Sequence, residues 1–535
     1  MLVACGPEAA TPTANGDDPV APTPTPGAPQ PAVGGEIVHG AIGDPVVLNT
    51  VLATDQPSGW VTRRIYQGLV RANPEFQMDP YLAKSWVTSD DGLEIVFYLR
   101  DDVYWQDGEK FTAHDVKYTY DTIQHEDYTG PRRSDFRAIE RTEVVSDYEV
   151  KLVLKEPDSV LLSRLGIGIM PEHIFGDWPV AELREHPANR EPVGTGPYML
   201  EVWEEGQYVV LTANPNYWGE GPYIPTVRQR MYQDSQVMLA ALEAGEIDLM
   251  GIPHEDVDRV QAAHSDRLAF QQVPNNSYSY IGLKQDHPFF EDVRVRHALT
   301  YALNRQEMVD ALFLGYGTLM NGPIAPVSWA YLEEGLNDYP FNPEKAKELL
   351  EAAGWTEGPD GVRVNEEGER MSFSVLTNSG NLVRENTLDI AQQQWAAIGV
   401  EMTPEPLEWS VLLDQYLDVA MFDAYLLGWS LGVDPCPFVY FHSSQGVVDG
   451  QLMGFNDVEY YNDEVDRLLE EARRIFDQDE RKAMYDQIQI ILNEELPYIF
   501  LYTTNSVTAI DKKIQGYVIS PLTIHYPELW YIETQ

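Results

Sequence analysis

The chain has 535 residues, 44% of them hydrophobic, which is enough for two or three globular domains with full cores. Its 36 basic residues stand against 85 acidic ones, so the formal net charge is -49. This excess of negative charge argues against nucleic acid as a partner, because phosphate binding needs basic patches. The sequence contains no apolar run of about 18 residues, so we expect no membrane-spanning segment.

The N-terminal segment predicts a lipid anchor followed by a tether. The letters LVAC at 2–5 resemble a bacterial lipobox, although the basic and apolar regions that usually precede one are missing. We interpret residues 1–4 as the remnant of a signal peptide and Cys5 as the lipidated residue; a chance tetrapeptide is the alternative. Residues 5–35 are rich in Thr, Pro, Ala and Gly, which predicts an extended tether without a core.

The folded region is expected to begin near Glu36 with short strands and one helix. A helix is predicted at 61–70 from its apolar spacing. Alternating or β-branched residues predict strands at 37–38, 45–48, 93–99 and 150–154.

The second half of the chain is richer in helices. Asn342 and Pro343 predict a helix start, and Gly354 predicts its end. Asn462 opens another helix, and a third is predicted at 479–492. The buried face of the helix after Asn462 is predicted to hold Val465, Leu468, Leu469 and Ala472. Helices and strands are mixed throughout, so we predict an α/β fold.

Between these helices, residues 421–445 combine an apolar strand with a loop bounded by Gly and Pro. The strand at 425–427 breaks at Gly428 and delivers Trp429 and Ser430 into the loop. An apolar strand that presents an aromatic residue to such a loop is a common way to build a ligand site. An ordinary loop after a core strand is the alternative.

Catalytic motifs are absent or incomplete. Residues 428–432 match G-x-S-x-G, the nucleophile elbow of esterases, but Pro435 and Pro437 exclude the helix that must follow the serine. Asp466 and His525 satisfy only the chain order of a catalytic triad. The sequence has no H-E-x-x-H, P-loop, GxGxxG or Cys/His cluster, so we predict no enzyme, no metal site and no cofactor.

Several stretches together resemble one family. The matching stretches, spread over residues 36–535, include IYQGLV (65–70), PVGTGPYMLEVWEEGQ (192–207), LAALEAGEID (239–248), FFEDVRVRHALTYALNRQEM (289–308), YPFNPEKAKELLEAAGW (339–355) and YYNDEVDRLLEEA (460–472). From their order and number the chain is identified as a member of the family 5 extracellular solute-binding proteins. These are the dipeptide, oligopeptide and nickel type that feed ABC importers.

The resemblance implies a two-lobed periplasmic-binding-protein type II fold of cluster C. A ligand would be enclosed between the lobes, and its better contacts in the closed state would drive closure. The chain would cross between lobes near 276–283 and 497–504. The predicted parts are lobe I (36–275), an extra subdomain within it (about 60–190), lobe II (276–500) and a C-terminal return to lobe I (501–535).

The resemblance also implies the residues that would contact a ligand. In peptide-binding members the Gly-Trp segment of lobe II pairs with the ligand backbone like an added strand. The matching residues in this chain are Gly428, Trp429 and Ser430. On lobe I, the loop before the IYQGLV stretch contacts ligand in the family, which implies Thr54, Asp55 and Gln56. The alternative for Trp429 is that it is a core residue, and the alternative for the loop at 54–56 is that it is only solvated.

The chain departs from the peptide-binding pattern after Trp429. Peptide-binding members place an aspartate there for the amino terminus of the ligand, whereas the first carboxylate in this chain is Asp434. The ammonium anchor is therefore either a displaced Asp434 or absent, and a buried ammonium without a counter-charge is costly. Cys436 has no explanation from sequence. His442 is expected to cap or pack locally, and a ligand group is the alternative.

We therefore predict an extracytoplasmic solute-binding lipoprotein that captures a peptide and delivers it to ABC importer permease subunits. It would be a monomer held by its lipid anchor at the outer face of the cytoplasmic membrane, in the periplasm or at the cell surface. One alternative is a binder of oligosaccharide or another polar solute, since 12 Trp and 30 Tyr offer rings for stacking on sugars. Another is a surface receptor or sensor subunit that is not coupled to import.

Overall fold

The structure, a computed structural model, describes residues 33–448 and 451–533. The predicted lipidation site at Cys5 and the tether up to residue 32 lie outside the described residues. Helices and strands are mixed along the chain, so the predicted α/β class is confirmed. Within the described ranges, no helix is both long and apolar enough to cross a membrane.

The strands fall into two sets along the chain. Those up to residue 275 are β1 (Glu36–Ile42), β2 (Val70–Ala72), β3 (Met78–Pro80), β4 (Ala83–Thr88), β5 (Glu94–Leu99), β6 (Ile139–Ser146), β7 (Glu149–Leu154), β8 (Tyr198–Glu204), β9 (Tyr208–Ala213), β10 (Thr226–Tyr232), β11 (Leu249–Ile252) and β12 (Leu268–Pro274). Those that follow are β13 (Ser277–Leu283), β14 (Gly317–Leu319), β15 (Thr356–Glu357), β16 (Arg363–Val364), β17 (Ser372–Asn378), β18 (Glu401–Leu407), β19 (Ala424–Ser430), β20 (Val447–Val448), β21 (Gln451–Leu452), β22 (Tyr498–Asp511), β23 (Ile514–Gln515), β24 (Val518–Ile519), β25 (Ile524–His525) and β26 (Tyr531–Ile532).

The α-helices are distributed over both halves of the chain. They are α1 (Gln56–Ile65), α2 (Ala113–Gln124), α3 (Leu161–Arg164), α4 (Glu172–Phe175), α5 (Ser235–Ala244), α6 (Val257–His264), α7 (Val293–Tyr301), α8 (Arg305–Phe313), α9 (Pro343–Ala352), α10 (Leu382–Ala396), α11 (Trp409–Leu412), α12 (Phe438–Phe441), α13 (Asp463–Arg474) and α14 (Gln478–Glu495).

Helix caps and buried faces follow the sequence prediction in the second half of the chain. The Asn342 side chain accepts a hydrogen bond from Lys345 N at the start of α9, and Gly354 takes a left-handed φ of 94° after its end. Asn462 caps α13, whose predicted buried face is confirmed residue by residue. These features depend on neighbours within one or two helical turns, so the local sequence determines them.

Two elements near the N-terminus differ from the prediction. The strand predicted at 45–48 is wrong: Val46 N and Val47 N both donate to Ser58 Oγ, at 2.8 and 3.2 Å, and no strand partner takes their place. The helix predicted at 61–70 begins earlier and ends earlier, as α1, because the Asp55 side chain caps it and Tyr66 is already extended.

Buried apolar side chains form two groups of cores. One group draws on residues 37–275 and 505–532, including a core of residues 47–188 beside the four-stranded sheet β4-β5-β7-β6. The other group lies entirely within 278–502. We keep the names lobe I and lobe II for these two groups, while the exact domain limits stay predictions.

One twelve-stranded sheet runs through both lobes. Its order is β18-β17-β19-β13-β22-β11-β1-β10-β9-β8, with β12 and β14 also paired to β22. The long strand β22 joins the lobes, since residues 498–504 pair with β13 and β14 while 505–511 pair with β11 and β12. The second connection is the short link between β12 and β13, where Asn275 N donates to Thr504 O at 2.8 Å.

Candidate functional site

A cleft of about 1000 Å³ lies on lobe I beside the strand crossing. The predicted ligand loop forms part of its wall through Thr54, Asp55 and Gln56, and Asn275 and Ser506 of the crossing line it as well. A pocket of this size is at the upper end for small ligands and can hold several residues of an extended chain. The structure therefore brings the predicted loop to a cavity.

The loop is shaped by the start of α1. Asp55 Oδ1 accepts a hydrogen bond from Ser58 N at 2.8 Å, so the carboxylate caps the helix and satisfies one of its free backbone donors. Thr54 and Gln56 on either side of it are exposed. Asp55 thus has a structural role that the sequence analysis did not assign, and its role toward a ligand stays a prediction.

On lobe II, the end of β19 is paired along one edge. The antiparallel register with β13 runs through to Ser277 opposite Ser430. The parallel register with β17 comprises two pairs and ends at Leu376 opposite Tyr425, after which the Thr377 hydroxyl donates to Leu426 O. Among the described residues, the backbone from Gly428 to Ser430 therefore has a strand on one side and none on the other.

Trp429 belongs to an aromatic cluster and remains partly exposed. Its ring lies 4.5 Å from that of Tyr440, 5.2 Å from that of Phe455 and 6.0 Å from that of Tyr280, measured between centroids. Phe455 is 51% exposed. The tryptophan is neither a fully buried core residue nor a free surface residue, so it can offer an apolar wall.

Asp434 is paired within lobe II. Both of its carboxylate oxygens accept from Arg481 Nη2, at 2.8 and 2.7 Å, and the two side chains are 9% and 7% exposed. A carboxylate that already balances a buried guanidinium has no free charge for a ligand ammonium. This geometry weighs against Asp434 as a displaced anchor and favours the alternative that the anchor is absent.

Two further residues near this loop have local roles. His442 Nδ1 accepts from Ser444 N at 3.0 Å, so the expectation that His442 caps locally is confirmed. Cys436 packs against the lobe II core, where burial raises the pKa of its thiol. The thiol is therefore held in its protonated, unreactive form.

The lobes touch at the loop after β7. Asp158 Oδ2 accepts from Arg473 Nη2 at 2.7 Å, with the side chains 4% and 13% exposed. Ser159 N donates to Arg473 O at 2.8 Å, and the Arg473 guanidinium lies 4.5 Å from the centre of the Phe438 ring. Because Phe438 follows the loop after β19, this contact ties lobe I to the segment next to the predicted ligand strand.

The esterase-like pattern is not assembled. The His525 ring bonds to the Ser520 hydroxyl at 2.7 Å, and Asp466 accepts from Ser443 N at 2.8 Å, so neither is directed at Ser430. Within residues 33–448 and 451–533, no group of three or more His, Cys, Asp or Glu side chains could hold a metal ion.

Two arginines that the sequence analysis did not select lie near the predicted site. Arg63 in α1 lines the lobe I cleft. Arg384 stands in the first turn of α10 and donates to Asn378 Oδ1 at 2.6 Å, at the end of β17. Neither has a carboxylate within ion-pair distance among the described residues. Sequence alone does not place Arg63 at the cleft or Arg384 at the end of β17.

The matching family model is that of the bacterial extracellular solute-binding proteins, family 5 (middle region), and it covers residues 77–450. The chain belongs to the family 5 extracellular solute-binding proteins. This match confirms the predicted membership. Because the family consists of transport proteins, it also confirms the general role of solute binding outside the cytoplasm.

Relatives match nearly the whole chain. The oligopeptide-binding protein AppA of Bacillus subtilis is 34% identical over 510 residues, which cover 94% of this chain and 92% of AppA. The glutathione-binding protein GsiB of Salmonella typhimurium is 30% identical over 502 residues, covering 92% and 94%.

Solved structures agree with the fold. The AppA structure, in complex with a nonapeptide, has a TM-score of 0.81 and covers 94% of this chain and 100% of its own. NikZ of Campylobacter jejuni, in complex with Ni(L-His), is 26% identical with a TM-score of 0.78 and covers 93% and 99%. The predicted type II periplasmic-binding-protein fold of this solute-binding family is therefore confirmed.

Proposed function

We propose that this family 5 protein captures a peptide between its lobes and delivers it to the permease of an ABC importer. The observation that carries the proposal is the half-paired end of β19. There, residues Gly428 to Ser430 have β13 on one side and an unpaired backbone edge on the other. An extended peptide can add to such an edge through main-chain hydrogen bonds, which give affinity without side-chain selectivity.

The relatives support a peptide as the ligand class. AppA is named as an oligopeptide-binding protein and was solved with a nonapeptide, and DppA of Helicobacter pylori was solved with the peptide STSA. The cleft of about 1000 Å³ is larger than one amino acid requires. Both features favour an oligomeric ligand over a single small solute.

Backbone pairing also accounts for the lost ammonium anchor. If recognition of the ligand's amino terminus depended on the first carboxylate after Trp429, Asp434 would have to be available, and it is bound to Arg481. Main-chain pairing places no such demand. We therefore propose Gly428, Trp429 and Ser430 on lobe II and Thr54, Asp55 and Gln56 on lobe I as ligand contacts, without Asp434 as an anchor.

The cellular setting is proposed on the N-terminal sequence. Cys5 would carry the lipid, and the tether that follows would let the lobes reach a permease in the same membrane. The protein would act as a monomer outside the cytoplasm, in the periplasm or at the cell surface. Metabolic labelling with a palmitate analogue tests the anchor, since a Cys5→Ser variant must lose the label.

Mass spectrometry of the purified chain under native conditions tests the ligand class. Proteins that close around a ligand retain it, and we expect bound species that fragment as peptides. A ladder of hexose masses would replace the peptide proposal with the oligosaccharide alternative. If the purified chain carries no ligand, equilibrium dialysis with a randomised nonapeptide mixture tests peptide binding directly. Failure to retain any peptide would contradict the proposal.

A further inference from the structure

The cleft on lobe I differs in charge from the rest of the molecule. Its charged lining consists of Asp55, Glu528 and the guanidiniums of Arg63, Arg64 and Arg71, three cations against two anions. The whole chain has 36 basic residues against 85 acidic ones. A cleft with the opposite sign to its surroundings concentrates field lines and attracts ligands of negative charge.

Histidines do not add to this charge. His39 also lines the cleft and stacks on Trp60 with ring centroids 4.9 Å apart. Burial, and then the charge of Arg64, lowers the pKa of His39 to about 3. Burial likewise lowers the pKa of His525. Both rings are therefore neutral at physiological pH, and the guanidiniums carry the positive charge of the lining.

Two of the three arginines are already engaged. Arg71 Nη1 lies 3.0 Å from Glu528 Oε1 in an ion pair. Arg64 is 5% exposed; its Nη1 donates to Trp60 O at 2.8 Å and its guanidinium stacks 3.6 Å from the centre of the Trp60 ring. Both guanidiniums therefore already have partners within the protein, and neither is free to bind a ligand.

Arg63 is the unmatched cation. Its side chain is exposed to the cleft, and among residues 33–448 and 451–533 it has neither a hydrogen bond nor an ion pair. Its Nη2 lies 3.3 Å from where a Cβ on Gly59 would stand, so the guanidinium folds back one turn toward the start of α1. That direction leads toward the predicted ligand loop at 54–56.

In the part of the chain that the structure describes, no carboxylate lies within ion-pair distance of Arg63. The nearest carboxylate on the same helix is the Asp55 cap, which is held by Ser58 N. On the other side of the loop, Arg132 Nη2 donates to Ala53 O at 2.8 Å and brings a second cation. Partial desolvation by the cleft lining, and then the charge of Arg132, lowers the pKa of the Arg63 guanidinium, while the side chain stays exposed to the cleft. A ligand anion would relieve this uncompensated charge.

We infer that Arg63 is a specificity-determining residue which binds an anionic carboxylate of the ligand in the lobe I cleft. The inference rests on the proposed peptide function and adds a preferred ligand class: peptides that present a carboxylate to lobe I. The carboxylate comes either from the C-terminus or from an acidic side chain. An arginine and a carboxylate form two parallel charge-assisted hydrogen bonds, which makes the pair strong and directional.

Three randomised nonapeptide mixtures, built from uncharged amino acids with acetylated N-termini, distinguish the two sources. The first has a free C-terminal carboxylate, the second a C-terminal amide, and the third a C-terminal amide with one central Glu. Each is titrated against the full chain in equilibrium dialysis. We expect the first or the third to bind at least about tenfold tighter than the second, as a charge-assisted pair should produce. Whichever mixture wins identifies the source.

Variants assign that preference to one residue. Arg63→Gln should abolish the preference, so that the carboxylate-bearing mixture binds no tighter than the amide mixture, and Arg63→Lys should retain part of it. Arg184→Gln is the matched control: Arg184 is exposed, has no ion pair within the described residues and does not line the cleft. Thermal unfolding of each variant verifies that it is folded. If Arg63→Gln does not fold, a reduced preference in Arg63→Lys tests the role of Arg63 instead.

The outcomes separate the inference from the proposed function. Equal binding of all three mixtures, or a preference that survives Arg63→Gln, overturns the role of Arg63 while peptide binding stands. A preference lost in Arg384→Gln and kept in Arg63→Gln places the carboxylate on lobe II and also overturns it. If the wild-type chain retains none of the mixtures, the peptide function fails and the inference fails with it.

Discussion

The two lobes offer a ligand different kinds of wall. Lobe I presents charge at its surface, in the exposed guanidinium of Arg63 beside the loop at 54–56. Lobe II presents a strand edge and the aromatic cluster of Trp429. Asp434 is paired to Arg481, and Asp457 is buried beneath the cluster.

This difference suggests a division of labour. A backbone edge and an aromatic wall bind any extended peptide, because every residue offers an N–H, a carbonyl and some apolar surface. A single unpaired cation responds to one chemical group. Lobe II would therefore supply general affinity, and lobe I would supply selectivity. The first prediction below tests the contact between the two lobes, and the next two test the aromatic wall of lobe II and the acid beneath it.

Breaking the contact between the lobes should have the largest effect. Asp158→Asn keeps the acceptor for Val160 N but leaves the Arg473 guanidinium buried without a counter-charge. Losing one partner of a buried pair costs about 3 kcal/mol. We expect peptide affinity to fall at least about tenfold and the radius of gyration in small-angle X-ray scattering to increase.

The exposed pair of Lys84 and Asp101 provides the control for that experiment, with side chains 48% and 61% exposed. Asp101→Asn should change peptide affinity by less than about twofold, because an exposed ion pair in water contributes little to stability. An unchanged affinity in Asp158→Asn would mean that the contact does not hold the lobes together.

Removing the aromatic wall should have a moderate effect. Trp429→Ala should weaken binding of nonapeptides with and without a carboxylate alike, by at least about 1 kcal/mol, since a partly buried aromatic contact is lost. Titration calorimetry measures it. A loss restricted to carboxylate-bearing peptides would contradict the separation between a general and a selective wall.

The acid beneath the cluster should show in the pH dependence of stability. Burial raises the pKa of Asp457 to about 7, while the Tyr425 hydroxyl donates to it at 2.8 Å. Between about pH 4 and pH 7 the folded chain then holds a proton that the unfolded chain has released. The free energy of unfolding should therefore fall as pH rises through this window, by up to about 1.4 kcal/mol per pH unit.

Chemical denaturation of wild type and Asp457→Asn at several pH values isolates this effect, because the other titrating groups are common to both chains. The difference in free energy of unfolding between wild type and Asp457→Asn should change between pH 4 and pH 7 and be constant above pH 7. A constant difference would show that Asp457 is ionised in the folded chain, with a charged group beneath the aromatic wall.

Features that depend on near neighbours were predictable from sequence. The cap and buried face of α13 follow from Asn462 and apolar spacing, and the α9 start follows from Asn342 and Pro343. The predicted strand at 45–48 failed because Ser58, eleven and twelve residues away, takes both backbone donors. The apolar residues at 45–48 gave a strand-like pattern, but this segment has no strand partner.

The site was predictable where a family pattern applied and not elsewhere. The loop at 54–56 and the segment at 428–430 came from the resemblance, and their ligand contacts stay predictions. The pairing of Asp434 with Arg481 spans 47 residues, and nothing near either residue indicates it. Arg63 resembles any other helix arginine until the fold places it on the cleft wall, with no carboxylate of the described residues within ion-pair distance.

The most direct test of the account compares two peptide probes that differ only in their backbone donors. A randomised nonapeptide mixture and the same mixture with an N-methyl group at every residue are dialysed against the full chain. If peptides pair with the free edge at Gly428 to Ser430, the methylated mixture must lose most of its binding, because neither edge of the peptide then carries an N–H donor. Equal retention of both mixtures would contradict strand pairing as the basis of recognition.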